Sequence, residues 1–185
     1  MHLKRTVVFL VATSFLSACG GGYSGGGNDL LQGCSPVYGG GTSTSMSVSP
    51  SCVGCNVSNP GQAIDGNGSS FATLNLPANS AGSVTLRATA QSGVVFPAGS
   101  LAGMVHSISY GTSAGLAISL VTYAGGVQQE QFNFNSGAGS SSQDPASPGR
   151  VSYTTAQQYD AIELNFTRAS GTGVVEARVH EFCSN

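Results

Sequence analysis

Apolar and polar residues alternate one by one along much of this chain. Val84, Leu86 and Ala88 are separated by polar neighbours, and the same period of two recurs over residues 162–167 and 175–180. Successive side chains of a β-strand point to opposite faces, so this pattern is typical of strands with one buried face. It predicts at least three half-buried strands.

Five further segments have strand-like composition: residues 71–76, 104–110, 116–123, 127–134 and 151–155. Gly125 and Gly126 lie between two of them and predict a hairpin turn. No window of about a dozen residues has the period of an amphipathic helix. Short strands separated by Gly-rich turns predict an all-β fold, a β-sandwich of the jelly-roll type, in which residues 137–149 form a long polar loop.

The first eighteen residues have the pattern of a secretory signal peptide. Lys4 and Arg5 precede an apolar run that is too short for a bilayer span of about 20 residues. The run ends at Leu16-Ser17-Ala18-Cys19, which resembles a bacterial lipobox. This resemblance implies cleavage before Cys19 and attachment of lipid, including palmitate, to that residue. A conventional signal peptide with a chance cysteine is the alternative.

The residue after the lipobox cysteine bears on location. Gly20 rather than Asp follows Cys19, and the resemblance to Gram-negative lipoproteins then implies the outer membrane, with the domain at the cell surface or facing the periplasm. A Gram-positive host stays open. The membrane itself is therefore an expected partner, which the protein would bind through its lipid anchor.

Two segments after Cys19 are poor in apolar residues. Residues 20–28 are mostly Gly, and residues 39–51 are rich in Gly, Ser and Thr. Such segments bury little apolar area and behave as flexible chains. We therefore predict a signal peptide over residues 1–18, a lipidated tether over 19–51 and one domain over 52–183.

The low charge of the chain excludes one class of partner. Charged residues make up 8% of the sequence, against about 25% in an ordinary soluble domain. From residue 19 onward there are four Arg, no Lys and eight acids, which gives a net charge of −4. Nucleic-acid binding needs several cations on one face, so no nucleic-acid partner is expected.

Four cysteines remain after Cys19 is set aside for lipidation, an even number that predicts two disulfides in an exported protein. Because domain termini often lie close together, we expect Cys55 to pair with Cys183 and Cys34 with Cys52. Two other pairings stay open. Cys52 and Cys55 also have the C-x-x-C spacing of redox and zinc sites, but neither a βαβ context nor a second ligand pair accompanies them.

One stretch resembles a known family. Residues 55–74 contain Asn-Pro, then Ala-Ile-Asp-Gly-Asn, then a hydroxyl residue, an aromatic and a small residue. This resembles the opening segment of discoidin-like (galactose-binding-like) jelly rolls of bacterial surface proteins. Residues 96–103, 159–164 and 179–183 resemble the middle and last strands of that family, so the resemblance spans about residues 52–183.

The discoidin-like resemblance implies a structural calcium ion in the Asp-Gly-Asn loop. Carried over to this chain, Asp65 and Glu181 would supply carboxylates, Asn67 a backbone carbonyl and Ser70 a hydroxyl. Oxygen ligands of these kinds are those that Ca²⁺ prefers. Ser70 replaces a more usual Thr, and Phe71 replaces a frequent Trp. An ordinary Asx turn without an ion is the alternative.

The same resemblance implies carbohydrate binding through exposed aromatic rings. Because the chain has no Trp, the stacking candidates are its tyrosines, although most are expected to be half-buried in strands: Tyr38, Tyr110, Tyr123, Tyr153 and Tyr159. His106 and His180 lie on predicted strands and are expected at the surface.

No arrangement typical of catalysis is present in the sequence. It contains no G-x-S-x-G, no H-E-x-x-H and no phosphate-binding Gly-rich loop. We therefore interpret the chain as an envelope lipoprotein whose domain is not an enzyme and binds an extracellular glycan or a protein partner. A structural or assembly role in the envelope, without sugar binding, is the alternative.

Overall fold

The computed structural model describes residues 35–36, 41–110, 116–134, 148–169 and 173–185. Their strands are β1 (Ser35–Pro36), β2 (Ser43–Val48), β3 (Asn56–Ser58), β4 (Ala72–Leu76), β5 (Gly82–Thr89), β6 (Leu101–Tyr110), β7 (Leu116–Ala124), β8 (Val127–Phe134), β9 (Gly149–Thr154), β10 (Ala161–Arg168) and β11 (Val175–Ser184). A short 3-10 helix spans Pro60–Ala63.

The strands form two antiparallel sheets. The six-stranded sheet has the order β3-β4-β11-β6-β9, and β1 also pairs with β11. The five-stranded sheet has the order β2-β5-β10-β7-β8. Strands that are neighbours in each sheet are mostly distant in sequence, as in the predicted jelly-roll type of sandwich. In the described part of the chain no helix is long and apolar enough to cross a membrane.

The core lies between the sheets and is made by alternate residues of the strands. In the five-stranded sheet Leu86, Leu164 and Leu120 are direct cross-strand neighbours, and all three are fully buried. Their sequence neighbours face outward, as the period of two requires. Leu74 and Ile108 flank Ala177 in the same way in the facing sheet. The predicted all-β sandwich is confirmed.

The sandwich begins earlier in the chain than predicted. Residues 19–51 were expected to be tether, but β2 pairs with β5 along its whole length, and Val48 packs against the core. The two residues of β1 pair with Ser184 and Cys183. Ser and Thr dominate β2, so its composition resembles a linker, whereas strand pairing supplies the hydrogen bonds that order it. Cys19 lies outside the described residues.

The disulfide pairing differs from the expected one. Cys52 is bonded to Cys55, with 5.5 Å between their Cα atoms. A turn brings the two together, because the Cys55 amide donates to the Cys52 carbonyl oxygen at 3.3 Å. This bond makes both expected pairings wrong, since each used one of these residues. Cys183 is also disulfide-bonded, while Cys34 lies outside the described residues.

Candidate functional site

A loop fills a gap in the pairing of β11. On one side, β11 pairs with β4 only as far as Val179, and with β1 only from Cys183 onward. On the other side its register with β6 shifts between Val179 and Glu181. The extra residue at this β-bulge is His180. The loop over residues 65–70, called here the Asp65 loop, docks against residues 180–181.

Two side chains of β11 hold the Asp65 loop. The backbone amide of Gly66 donates to Glu181 Oε2 at 2.9 Å, and His180 Nδ1 lies 3.0 Å from the Gly68 carbonyl oxygen. Because these contacts join positions more than a hundred residues apart, the loop conformation depends on the completed sandwich.

Polar groups inside the Asp65 loop converge. Asp65 Oδ1 accepts from the amide of Asn67 at 2.9 Å, as in an Asx turn. Ser70 Oγ lies 2.7 Å from Asp65 Oδ2 and 2.9 Å from the Asn67 carbonyl oxygen. The structure therefore brings the four predicted ligand residues, including Glu181, to one loop.

Glu181 has the least favourable environment in this group. Its side chain is fully buried, and Oε1 has no hydrogen-bond partner among the described residues. Burial raises its pKa to about 8, and the nearby Asp65 charge adds to the increase, while the Gly66 amide opposes it. A buried carboxylate oxygen without a partner is costly. A cation would provide the missing contact.

The residues present fit a calcium ion by the chemistry of their oxygens. Asp65 and Glu181 offer carboxylates, Ser70 a hydroxyl and Asn67 a carbonyl, all of which are hard oxygen ligands suited to Ca²⁺. Within the described ranges no three His, Cys, Asp or Glu side chains are arranged to hold a metal ion. A cation here would thus depend on the hydroxyl and carbonyl oxygens beside the two carboxylates.

The two histidines are buried, so their expected surface positions are wrong. His106 is fully buried and His180 is 5% exposed. His106 occupies a core-facing position of β6 between Met104 and Ile108, and burial lowers its pKa to about 4. The β-bulge turns His180 toward the Asp65 loop, where burial also lowers its pKa. Alternation with Met104 and Ile108 is the sequence signal for the buried position of His106, whereas the β-bulge hides that of His180.

Phe71 and Arg178 lie next to the Asp65 loop. The Arg178 guanidinium is centred 4.7 Å from the Phe71 ring centroid and is 2.7 Å from Glu176 Oε1. The His180 ring approaches Phe71 at 5.3 Å between centroids. The aromatic residue of the family-like motif is thus half-buried and engaged by two side chains of β11.

The predicted stacking tyrosines have different environments. Tyr159 is fully buried, stacks on Phe96 and donates to the Leu101 carbonyl oxygen at 2.6 Å, so it belongs to the core. Tyr123 and Tyr153 are half-buried. Tyr38 and the side chain of Tyr110 lie outside the described residues. Tyr123 and Tyr153 therefore remain as stacking candidates among the described residues.

Tyr153 forms an aromatic pair that sequence analysis missed. Its ring is nearly parallel to that of Phe132, at 15° and 5.2 Å between centroids. Phe132 is 38% exposed, although it faces the core side of β8, because β8 is at the edge of its sheet. Phe134 continues the series at 6.4 Å and 16°. The signal in the sequence is the spacing of Phe132 and Phe134 by two on a strand.

Glu130 fixes the position of this aromatic pair. Both of its carboxylate oxygens lie 3.0 Å from the backbone amide of Ala156, just beyond β9. Tyr153 also contacts the Thr122 hydroxyl at 3.4 Å. The Glu130 contact ties edge strand β8 to the region just after edge strand β9, and the Tyr153 contact ties β9 to β7, so the paired rings are presented on an ordered edge.

Comparisons with known proteins show that this chain resembles solved structures in its fold. No protein-family model matches the sequence, and no curated protein matches it. Solved structures do match. One is a family 32 carbohydrate-binding module of C. perfringens NanJ in complex with galactose, with 12% identity, a TM-score of 0.43, and coverage of 78% of this chain and 93% of that one.

Two other matches show the range of proteins that share this likeness. A Streptococcus pneumoniae fucose-binding module has 15% identity and a TM-score of 0.42, over 82% of this chain and 95% of that one. The enzymatically active domain of tailspike protein 4 from bacteriophage CBA120 has 12% identity and a TM-score of 0.44, over 78% of this chain and 19% of that one.

Proposed function

We propose that this chain is a cell-envelope lipoprotein whose β-sandwich is a non-catalytic module that recognises an extracellular glycan. The observation that carries the proposal is the nearly parallel pair formed by the exposed Phe132 and the half-buried Tyr153 on the edge of the sandwich. Signal-peptide and lipobox patterns over residues 1–19 support the location at the envelope, on the outer membrane.

Carbohydrate recognition suits this surface physically. The apolar C–H faces of a pyranose pack on aromatic rings, which offer large contact areas with little side-chain entropy to lose. The Glu130 contact already fixes the local geometry, so binding would order few groups and lose little free energy in doing so.

A glycan array with the full chain in detergent tests this proposal. We expect reproducible binding to a defined set of sugars, and a loss of about fivefold to tenfold in affinity in Phe132→Leu, which keeps apolar volume but removes the ring face. Val127→Ala, also exposed on β8, is the matched control and should bind as wild type. A blank array, or equal binding by both variants, contradicts the proposal.

An assembly role is the second candidate, and the edge position of β8 favours it. An edge strand with unpaired backbone groups can add a strand from another chain, and β8 exposes Val127 as well as Phe132. A blank array combined with co-purification of envelope proteins that is lost in Val127→Lys would favour this role. The glycan proposal instead expects Val127→Lys to leave sugar binding intact.

We also propose that the Asp65 loop holds a structural calcium ion. Asp65, Asn67, Ser70 and Glu181 would be its protein ligands, and the partnerless Oε1 of Glu181 is the observation that supports it. When bound, the ion would supply positive charge that holds Glu181 ionised and fixes the loop against β11. Its described contacts outside the loop are with Glu181 and His180 of β11, so the role that we propose for the ion is structural.

A further inference from the structure

The outer face of the five-stranded sheet carries a side-chain cluster that the aromatic edge does not use. Arg87 on β5 and Glu163 on β10 are direct cross-strand neighbours. Arg87 Nε and Nη2 lie 2.9 and 2.8 Å from Glu163 Oε2, and the Tyr123 hydroxyl donates to Oε1 at 3.0 Å. The Arg87 guanidinium is centred 3.6 Å from the Tyr123 ring centroid.

These contacts hold the cluster in one arrangement. Glu163 is only 8% exposed and uses both oxygens, while Arg87 and Tyr123 are half-buried. Burial and the bond to Glu163 raise the pKa of Tyr123, so its hydroxyl keeps its proton at neutral pH. A preorganised cluster loses little conformational entropy when it binds a ligand.

The cluster lies at the centre of a polar face. Strand register places two adjacent rows on this face, the first formed by Ser45, Arg87, Glu163, Val121 and Gln131, and the second by Ser47, Thr85, Asn165, Ser119 and Asn133. The middle positions are almost inaccessible, with Glu163, Val121 and Ser119 below a tenth exposed, whereas the positions on edge strands are exposed. The accessible side chains of both rows therefore lie mainly on the edge strands β2 and β8.

The charge of this face selects the kind of ligand. Arg87 and Glu163 cancel, and the remaining members of both rows are uncharged. The exposed hydroxyl and amide groups of β2 and β8 offer donors and acceptors at the two sides of the sheet, roughly 19 Å apart at about 4.8 Å per strand. This face has no net positive charge that would attract an anionic glycan or a nucleic acid. A neutral polyhydroxylated chain, by contrast, can form hydrogen bonds with its hydroxyl and amide groups.

We propose that this outer face, centred on Arg87, Tyr123 and Glu163, binds a neutral oligosaccharide that lies across the strands. It is a second surface, separate from the Phe132 edge, and the inference rests on the proposed function of glycan recognition. Ring hydroxyls would contact the half-buried Arg87 guanidinium and Tyr123 hydroxyl, which Glu163 holds in place, and the exposed residues on the edge strands would bind neighbouring sugar units.

The test compares neutral and anionic oligosaccharides on an array with the full chain in detergent. Arg87→Gln/Glu163→Gln replaces the ion pair by neutral side chains of similar size, and we expect it to lose about tenfold or more in affinity for neutral chains. Glu176→Gln/Arg178→Gln neutralises the ion pair of the other sheet. This matched control should bind as wild type.

A second variant guards against loss of the fold. Tyr123→Phe keeps the ring and removes the hydroxyl, and it should weaken binding severalfold while its thermal unfolding stays near that of wild type. Binding that survives both face variants but is lost in Phe132→Leu overturns the face proposal and leaves the glycan function standing. Preference for anionic chains, or loss in the Glu176→Gln/Arg178→Gln control, also overturns it. An array without any bound sugar contradicts both proposals.

Discussion

Arg168 is buried to 1% exposure, yet its contacts are with backbone and hydroxyl groups. Its Nε donates to the Ser80 carbonyl oxygen at 2.9 Å, and its terminal nitrogens donate to the carbonyl oxygens of Gly173 and Pro77 and to Ser80 Oγ. The planar guanidinium therefore joins the loop before β5 to the segment before β11. Since several donors act together, the geometry of the fork matters as much as its charge.

Arg168→Lys should destabilise the fold by about 2–3 kcal/mol, because one ammonium group cannot reach all these acceptors and leaves buried carbonyls without donors. Urea unfolding followed by circular dichroism measures the change. Arg178→Lys is the control, since the Arg178–Glu176 pair is about one-third exposed and such pairs contribute about 0–1 kcal/mol. Equal effects of the two substitutions would show that the buried fork is unimportant.

Glu181 makes stability depend on pH in the absence of a cation. Its pKa is about 8 in the folded protein against an ordinary value of 4.5. The folded state therefore binds more protons than the unfolded state between these values, and the free energy of unfolding falls as pH rises through that window. Below pH 4.5 the stabilising effect of the protonated side chain is fully present.

Glu181→Gln should remove this dependence. In chelator, we expect wild type to lose on the order of 2–4 kcal/mol of unfolding free energy between pH 5 and pH 8, and the Gln variant to lose much less. Urea titrations at several pH values measure the difference. The decrease in wild type must run toward higher pH, and an increase over the same range would contradict the assignment.

At the scale of elements, the Asp65 loop is where a calcium ion would act. Binding to the folded state alone raises stability by mass action, and it would also hold Glu181 in its ionised form. Asp65→Asn removes a carboxylate from the loop but keeps its size. Asp160 lies in a different part of the fold, where it accepts a hydrogen bond from the Gly125 amide at 2.7 Å. Asp160→Asn is therefore the matched control for Asp65→Asn.

Calcium at 1 mM should raise the melting temperature of wild type and of Asp160→Asn by several degrees relative to chelator, if the ion binds with a dissociation constant of about 10 μM or less. The same addition should leave Asp65→Asn nearly unchanged. Differential scanning fluorimetry measures these shifts. A wild-type melting temperature that is indifferent to chelator would leave the loop as an ordinary Asx turn.

The sequence predicts a strand well where one of its faces is buried, because apolar residues then alternate. It predicts a strand poorly where only pairing with a neighbouring strand determines the structure. Residues 162–167 alternate clearly and lie within β10, Ala161–Arg168. The hydroxyl-rich β2 has little apolar signal, so only its pairing with β5 reveals it. At His180 one extra residue shifts the period, and an alternation rule then assigns the wrong face.

The candidate sites also differ in how far the sequence predicts them: a site formed by nearby residues is visible in the sequence, and a site formed by strand pairing is not. The Asp65 loop is visible in sequence because its internal bonds join residues two to five positions apart. Arg87 and Glu163 are 76 positions apart and meet only through the register of β5 and β10. Likewise, Phe132 and Tyr153 come together because two edge strands close one side of the sandwich.

At the scale of the whole molecule, the proposed lipid anchor determines where these surfaces can work. The sandwich exposes two candidate recognition surfaces, and a module held at a membrane meets immobilised ligands at a high effective concentration. Attachment would come from Cys19 alone. Each buried methylene contributes about 0.8 kcal/mol, so two or more acyl chains hold a protein lastingly, whereas one chain binds only marginally.

Cys19→Ser should therefore abolish incorporation of labelled palmitate and release the protein from the membrane fraction. Cys52→Ser/Cys55→Ser is the matched control, because it removes two other cysteines, those of the Cys52–Cys55 disulfide, and should keep the label.

The released Cys19→Ser protein should bind the same soluble glycans as wild type, since both proposed surfaces are formed by β2 and β5–β10. Its capture by cells that display the glycan would instead weaken, because attachment through several anchored copies is lost. Palmitate labelling that persists in Cys19→Ser would contradict the anchor, and loss of soluble glycan binding would show that residue 19 supports the domain itself.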